Sequence, residues 1–535
     1  MKHKLFALMI GGIAALASTS MCFAAAKGDV DLDGVLTATD ASFALQCSLL
    51  ENEGFTEEQV KAADYDEDGI LTASDASYIL QKVLVPEFDI QTKPVNPDTS
   101  DGVVVSDFTS LKNALKSEKK IYVSGTVSCT DRIDLEAANA GVEIYGLTND
   151  DGTAASLDFA AQRDKLTSRG ESGTGIFIKG SGYTFKNLII ENAGDCGVRI
   201  KGSDAGNCVF ENCVFRYNNN SGISVTVGGH DNKFICCDSY RNGDIVQKSG
   251  ADADGYSVKL AAGPGNSFYN CRAWENADDG WDSYDRKSEG GYVDTVTYVE
   301  CLAWHNGNPD TFTGEYDYKM GYPLDKKLIY VQAILKADPT FEEKYNNHEV
   351  TTWPNVTMRL LGNTNNYTKL YSSWGGNPNG FKFGSSESVS SEYRYIENCI
   401  AFDHYGNGGA AVQYRAKGFD QNSDNGNCGM HYDMKNILAF NNVENIQMVK
   451  MNADSINGVV WSFDNCMGPD KKMYPDEPSA GMTIVEPENK DELRSKVYAY
   501  RDMIYDYVYN DKIPGKQICD VFGEPVDFEN ITDKF

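Results

Sequence analysis

Positive charge is scarce in this chain. Its 535 residues hold 48 Lys+Arg against 78 Asp+Glu, a formal net charge of −30 at neutral pH. Nucleic acid is therefore excluded as the main partner, because phosphate binding needs a cationic footprint. Long apolar runs are missing too. The stretch at residues 5–17 is too short to span a bilayer, so no membrane span is expected. Core material is not missing. A hydrophobic content of 41% excludes global disorder and permits a large core. At this length more than one domain, or a domain with an appendage, is expected.

Residues 1–26 read as an export signal. Lys2 and Lys4 form a charged start, the apolar run follows, and Ala24, Ala25 and Ala26 suit a signal peptidase. A lipoprotein reading through Cys22 is disfavoured, because Met21 stands where a small residue is expected. The mature protein is expected outside the cell. Fourteen cysteines in an exported chain usually mean disulfides. Here their surroundings repeat instead: Asn212-Cys213, Asn270-Cys271, Glu300-Cys301 and Asn398-Cys399 open similar phrases, as does Cys236-Cys237.

The front of the chain is duplicated. Residues 29–40 read DVDLDGVLTATD and residues 64–75 read DYDEDGILTASD, an offset of 35 residues. Asp29, Asp31, Asp33 and Asp40 occupy positions 1, 3, 5 and 12 of the first loop; Asp64, Asp66, Asp68 and Asp75 do so in the second. Gly34 and Gly69 stand at position 6. This is EF-hand logic, hard oxygen ligands around Ca²⁺ with a Gly for the sharp turn, although position 12 is Asp rather than Glu. Each loop leads into a phrase with helical apolar spacing, ASFALQCSLL and ASYILQKVL. The pair resembles a type I dockerin over roughly residues 27–86, and residues 27–90 are read as that module. That resemblance implies a cohesin of a scaffoldin as partner, and association with a cellulosome. Ala38-Thr39 and Ala73-Ser74 match the positions that help select the cohesin, and the duplication suggests a near two-fold binding surface. A free-standing calcium module is the plainer alternative. Residues 91–105 read as a linker.

Behind the linker the chain becomes repetitive. Cys213-VFRY-Asn218, Cys237-DSYR-Asn242, Cys271-RAWE-Asn276, Cys301-LAWH-Asn306 and Ile437-LAFN-Asn442 share one pattern, and Cys399-IAFD-His404 keeps it with a terminal His. Intervals of 24 to 34 residues in the first four copies suggest stacked coils. Residues 106–535 are therefore read as a right-handed parallel β-helix, with an antiparallel β-sandwich as the competing architecture. The fold class is all-β behind a small α-helical module. Free cysteines should stack in an interior column, and the asparagines should form a turn ladder. Cys236 and Cys237 should point to opposite faces of a strand, so at most one joins the column. Residues 307–378 read as an insertion that could form a wall or lid, and residues 489–510 as a helix covering the barrel or its end.

The densest acid in this region is Asp254 together with Asp278, Asp279 and Asp282. From 254 to 278 is 24 residues, about one coil, so these carboxylates can meet on adjacent coils. They would repel unless a cation intervened, and oxygen ligation favours Ca²⁺. Solvated acidic turns are the bland alternative. The phrase ADGYSVKLAAGPGNSFYNCRAWENADDGWDSYD, with NGFKFG further on, resembles the pectate lyases of polysaccharide lyase family 9. The resemblance implies a calcium-dependent β-elimination on polygalacturonate, with Asp254, Asp278, Asp279 and Asp282 as calcium ligands and Lys382 as base. Free Lys has a pKa of about 10.4, so the base must be shifted down. Lys319 is a weaker candidate base. Lys259, Arg272, Arg286 and Lys287 are candidate contacts for uronate carboxylates, with surface ion pairing as their plainer fate, and Lys417–Asn422 is a candidate cleft lining. The β-helix is expected to be monomeric. Two rivals remain. A β-helical polygalacturonase would use carboxylates as acid and base; Arg199-Ile200-Lys201 superficially resembles that family but precedes the Asp pair, and Gly-His-Gly is absent. A non-catalytic polysaccharide-binding protein is the other.

Acid is unevenly spread. Residues 27–90 carry 15 acidic and 3 basic side chains, much of it as expected calcium ligands.

Overall fold

The computed structural model describes residues 26–50, 52, 54–65, 71–84, 96–285, 291–384, 392–404, 416–422, 431–447, 459–463, 483–484 and 489–515. Residues 1–25 of the export signal, Asp66, Asp68, Arg286 and Lys287 lie outside the described residues. Two compact units divide near Val95 and Asn96. No helix among the described residues is long and apolar enough to cross a membrane.

Among its described residues the first unit holds three helices, Ala38–Leu49, Glu57–Ala63 and Ala73–Leu84, around Val30, Ala44, Cys47, Ala63 and Ile79. Thr37 caps the first helix in a capping box with Asp40. The described ends of the two loops are tied alike. Asp40 accepts the Val30 and Thr37 amides at 2.8 Å each, and Asp75 accepts the Tyr65 and Thr72 amides at 2.9 and 2.8 Å. Each twelfth-position Asp thus ties its loop to the start of the following helix.

The second unit is a parallel β-helix, built from three sheets of 10, 11 and 9 strands among the described residues. One coil supplies one strand to each. Lys233–Ile235 lies in sheet 1, Asp238–Tyr240 in sheet 2 and Tyr256–Val258 in sheet 3; the next coil repeats this with Asn266–Tyr269, Arg272–Trp274 and Trp281–Asp282. Every pairing within these sheets is parallel, for example Tyr240 with Trp274 and Ser257 with Asp282, which rules out the antiparallel sandwich. Such connections are right-handed in nearly all proteins.

The repeated phrases mark the corners. Asn212, Asn270 and Asn398 turn from sheet 1 to sheet 2 with φ of 51°, 49° and 55°. Asn tolerates that left-handed conformation better than other side chains, which explains its place before Cys. Cys236 is the turn residue of its coil, at φ 52°. It is separated from the column by a corner rather than by strand alternation. Cys213, Cys237, Cys271, Cys301 and Cys399 follow the turns, fully buried and without disulfides. Cys237 and Cys271 lie 3.4 and 3.3 Å from carbonyls of the preceding coil. The asparagine ladder forms as well. The backbone N–H and Nδ2 of Asn242 both donate to Asn276 Oδ1, at 3.2 and 2.9 Å, and Asn276 does the same to Asn306. His404 continues the ladder in place of Asn, accepting from Asn306 at Nε2 (3.2 Å) and donating from Nδ1 to Asn442 (2.9 Å).

Aromatic stacks fill the interior. Tyr256, Trp281, Phe381 and Phe419 stack at centroid spacings of 5.0, 4.5 and 4.9 Å beneath sheet 3. The helix Phe108–Ser117 contributes Phe108, Leu111 and Leu115 to this core. A second core lies on the outer face of sheet 2. There Tyr240, Trp274, Trp304, Phe402 and Phe440 stack, and the helix Lys490–Val508 covers them with Tyr505 bonded to the Trp304 indole at 2.9 Å. Residues 307–378 add helices and a hairpin to this second core, with Leu328, Val331, Ile334 and Leu370 buried. They pack on the side of the barrel, and the return of the chain at Trp374–Asn379 reaches the acidic cluster. Asn377 N–H donates to Asp278 Oδ1 there.

Candidate active site

Sheet 3 carries a phrase not singled out in the sequence. It runs Ser221-Gly222-Ile223, Asp254-Gly255-Tyr256, Asp279-Gly280-Trp281, Asn379-Gly380-Phe381 and Lys417-Gly418-Phe419. The glycines stack. A Cβ on Gly255, Gly280 or Gly380 would come within 2.6–2.7 Å of the next coil's carbonyl, so no larger residue fits. The residue before each Gly and the residue two after it form two columns running across the coils. The first is Ser221, Asp254, Asp279, Asn379. The second is Ser224, Ser257, Asp282, Lys382, Asp420, fixed by the strand register.

These columns bring Asp254, Asp279 and Asp282 together. One oxygen from each lies within 4.8 Å of the others, and all three residues are buried. Two ammonium groups sit among them. Lys259 Nζ is 2.8 Å from both Asp254 Oδ2 and Asp282 Oδ2. Lys382 Nζ is 2.9 Å from Asp279 Oδ2 and 3.2 Å from Asp282 Oδ1. Asp278 is buried beside them, its Oδ1 taken by the Asn377 amide, and is not one of the three clustered ligand positions. Ser257 donates to Asp254 Oδ2 at 2.5 Å, and Tyr284 N–H to Asp282 Oδ1 at 2.8 Å.

Four ionised carboxylates against two ammoniums would leave two negative charges in excess. The electrostatics follow. Burial raises the Asp254, Asp278 and Asp279 carboxyls, and their negative neighbours add to it. Burial opposes charge on Asp282 too, but Lys259 and Lys382 hold that carboxyl below its usual range. For Lys382, burial works against the charged form, yet Asp279, Asp282, Asp278 and Asp254 outweigh it and hold the ammonium well above its ordinary range. The downward shift expected from sequence is therefore not a property of these side chains alone. The donor set fits a hard divalent cation: oxygen ligands only, close together, and an excess of two negative charges.

The other expected residues fall elsewhere. Arg272 is not a substrate contact. It is fully buried on the outer face of sheet 2, with Nε 2.5 Å from Asp238 Oδ1 and Nη1 2.8 Å from the Tyr500 hydroxyl of the covering helix. Its neighbour Cys271 faces the interior, so alternation turns Arg272 outward on a sheet remote from the cluster's columns. Lys319 pairs with Asp310 at 3.2 Å within the inserted segment. Lys417 pairs with Asp420 at 3.0 Å on the coil after Lys382. Arg199 lies on sheet 3 in the same register as Ser224, held by Asp195 at 2.7 Å. In the first unit, Asp29, Asp31 and Asp40 converge within 4.8 Å, while Asp33 Oδ1 accepts the Val35 amide.

With this geometry in place, residues 90–322 match the family model described as Pel9A-like, right handed beta helix region, and residues 27–84 match that of the dockerin type I domain. Each match covers less than half of the chain. The β-helix match includes Asp254, Asp278, Asp279 and Asp282 and stops before Lys382. A protein of Paenibacillus polymyxa named pectate lyase L is 30% identical over 57% of this chain and 64% of its own length. One of Dickeya dadantii with the same name is 36% identical over 28% of this chain and 34% of its own length. The chain thus spans less than two thirds of either relative. The crystal structure of pectate lyase Pel9A aligns with a TM-score of 0.45 at 20% identity, covering 73% of this chain and 80% of that one.

Proposed function

We propose that the protein is a secreted, calcium-dependent pectate lyase that cleaves polygalacturonate by β-elimination and is held in a cellulosome by its dockerin. The observation that carries this is the placement of Lys382 beside Asp279 and Asp282, on the coil next to the acidic pair. Two amines, Lys382 and Lys259, stand against a cluster suited to a divalent cation, rather than an acid and a base carboxylate flanking a scissile bond.

Asp254, Asp279 and Asp282, with Asp278 beside them, would hold Ca²⁺. The bound ion would neutralise the uronate carboxylate and take up the charge of the aspartates that otherwise keep Lys382 protonated. Lys382 removes the proton from C5. The electron pair left behind forms the C4–C5 double bond as the C4–O bond breaks, and the leaving oxygen takes a proton. No water is consumed. Lys259, bridging Asp254 and Asp282, offers an ammonium to a substrate carboxylate. Tyr284, its ring 5.6 Å from Lys382 Nζ, walls the base on one side.

The dockerin reading has its own support. Leu45 and Leu80 are 38% and 40% exposed, and Leu49 and Leu84 are 73% and 71% exposed, so the two repeats display matching apolar surfaces. Such surfaces suit a protein partner, a cohesin. Incubation with polygalacturonate and product analysis separates the readings: a lyase leaves a 4,5-unsaturated end, a hydrolase a saturated one, and a binder releases nothing.

A further inference from the structure

The carboxylates of the cluster are rungs of a second side-chain ladder. In the column before the glycines, each backbone N–H donates to the side-chain oxygen of the preceding coil. Asp254 N–H donates to Ser221 Oγ (3.3 Å), Asp279 N–H to Asp254 Oδ1 (3.3 Å), Asn379 N–H to Asp279 Oδ1 (3.2 Å) and Lys417 N–H to Asn379 Oδ1 (3.2 Å). Asn379 adds its Nδ2, 2.8 Å from the same Asp279 oxygen. The ordinary asparagine ladder has the same two-donor motif, at Asn276 toward Asn306 Oδ1 (3.0 Å for each donor), but runs the opposite way along the coils.

The consequence is a division of labour between the two oxygens of each carboxylate. Oδ1 of Asp254 and of Asp279 is engaged as a rung. Oδ2 of Asp254 faces Ser257 and Lys259, and Oδ2 of Asp279 faces Lys382. We infer that Asn379 is a positioning residue. It pins Asp279 through Oδ1 so that Oδ2 is presented to the cation and to Lys382. This inference rests on the reading of Asp254, Asp279 and Asp282 as a cation site. An asparagine suits the post where another aspartate would not: its Nδ2 donates to a carboxylate that a second carboxylate would repel, while its Oδ1 still accepts the Lys417 amide.

The test compares Asn379→Ala with Asn276→Ala in the full chain. Both remove the same hydrogen-bond motif, the first beside the cluster and the second in the ordinary ladder. All six tryptophans lie outside residues 27–84. Terbium luminescence excited through tryptophan therefore reports on the β-helix and not on the dockerin loops, with Ca²⁺ competition giving the affinity. Asn379→Ala should weaken Ca²⁺ binding by about 10- to 100-fold, the range found when outer ligand-orienting groups are removed, and lower kcat more than it raises KM. Asn276→Ala should lower the melting temperature and leave affinity unchanged. If Asn379→Ala matches Asn276→Ala, losing only thermal stability, Asn379 is merely a structural rung and the inference falls. If the wild type shows no tryptophan-sensitised terbium signal displaced by Ca²⁺, the cation-site reading itself falls.

Discussion

Lys382 and Asp282 face each other across adjacent coils of sheet 3, with Nζ 3.2 Å from Oδ1. One hundred residues separate them in sequence, yet the register makes them neighbours. That pairing joins the two short phrases, around Asp279 and around Phe381, into one site.

Lys382→Ala should lower turnover on polygalacturonate by about 10²–10⁴-fold, the usual contribution of a positioned base. The melting temperature and Ca²⁺ affinity should stay near wild type or rise, since a cation competing for Asp279 and Asp282 is gone. Steady-state kinetics with Ca²⁺ titration checks this. Turnover at the wild-type rate would remove Lys382 from the mechanism.

Lys259→Met should act in two directions. Its ammonium bridges Asp254 and Asp282, so removing it leaves the cluster more negative. Ca²⁺ affinity should rise by about tenfold, as expected for roughly 1.4 kcal/mol of relieved charge repulsion. KM should also rise, because a cation for the substrate carboxylate is lost. Weaker Ca²⁺ binding in this variant would contradict the placement.

Arg272→Ala tests the reassignment of that residue. Breaking a buried ion pair with Asp238 should cost about 3–5 kcal/mol of stability. KM should be unchanged at temperatures where the variant stays folded. A selective rise in KM without loss of stability would return Arg272 to the substrate.

His404 makes the fold acid-sensitive. Burial lowers its pKa to about 3, so the ladder holds it neutral. The unfolded chain takes up that proton near pH 6.5. The folded value lies below the unfolded one for a group charged when protonated. Its stabilisation is therefore complete above about pH 6.5 and is lost as pH falls toward 3, at about 1.4 kcal/mol per pH unit. His404→Asn, which restores the ladder's usual residue, should remove about 2 kcal/mol of the destabilisation seen between pH 7 and pH 5. Denaturant unfolding at both pH values would show it; an equal loss in wild type and variant would refute it.

Much of this was legible in the sequence, and the failures have physical reasons. The Asn and Cys phrases exposed the coils because corners demand particular residues: Asn in a left-handed turn, a small side chain inside, an amide at each rung. The Asp254 and Asp278–Asp282 phrases lay about one coil apart, so their meeting followed from spacing. Arg272 was misplaced because nearness to an acidic phrase says nothing about which sheet carries a side chain. The positioning of Asp279 by Asn379 was hidden by the inserted residues 307–378, which stretch one coil far beyond the repeat. Its signal was present all the same. Ser-Gly, Asp-Gly, Asp-Gly, Asn-Gly and Lys-Gly, each before an apolar residue, mark the column in which it stands.

The most direct measurement is the absorbance of unsaturated product from polygalacturonate, followed as calcium is chelated and then restored. The account predicts ultraviolet-absorbing product with Ca²⁺ present, none after chelation, recovery on restoration, and no recovery with Lys382→Ala. Saturated reducing ends in place of the unsaturated product, or an unchanged rate in chelator, would contradict it.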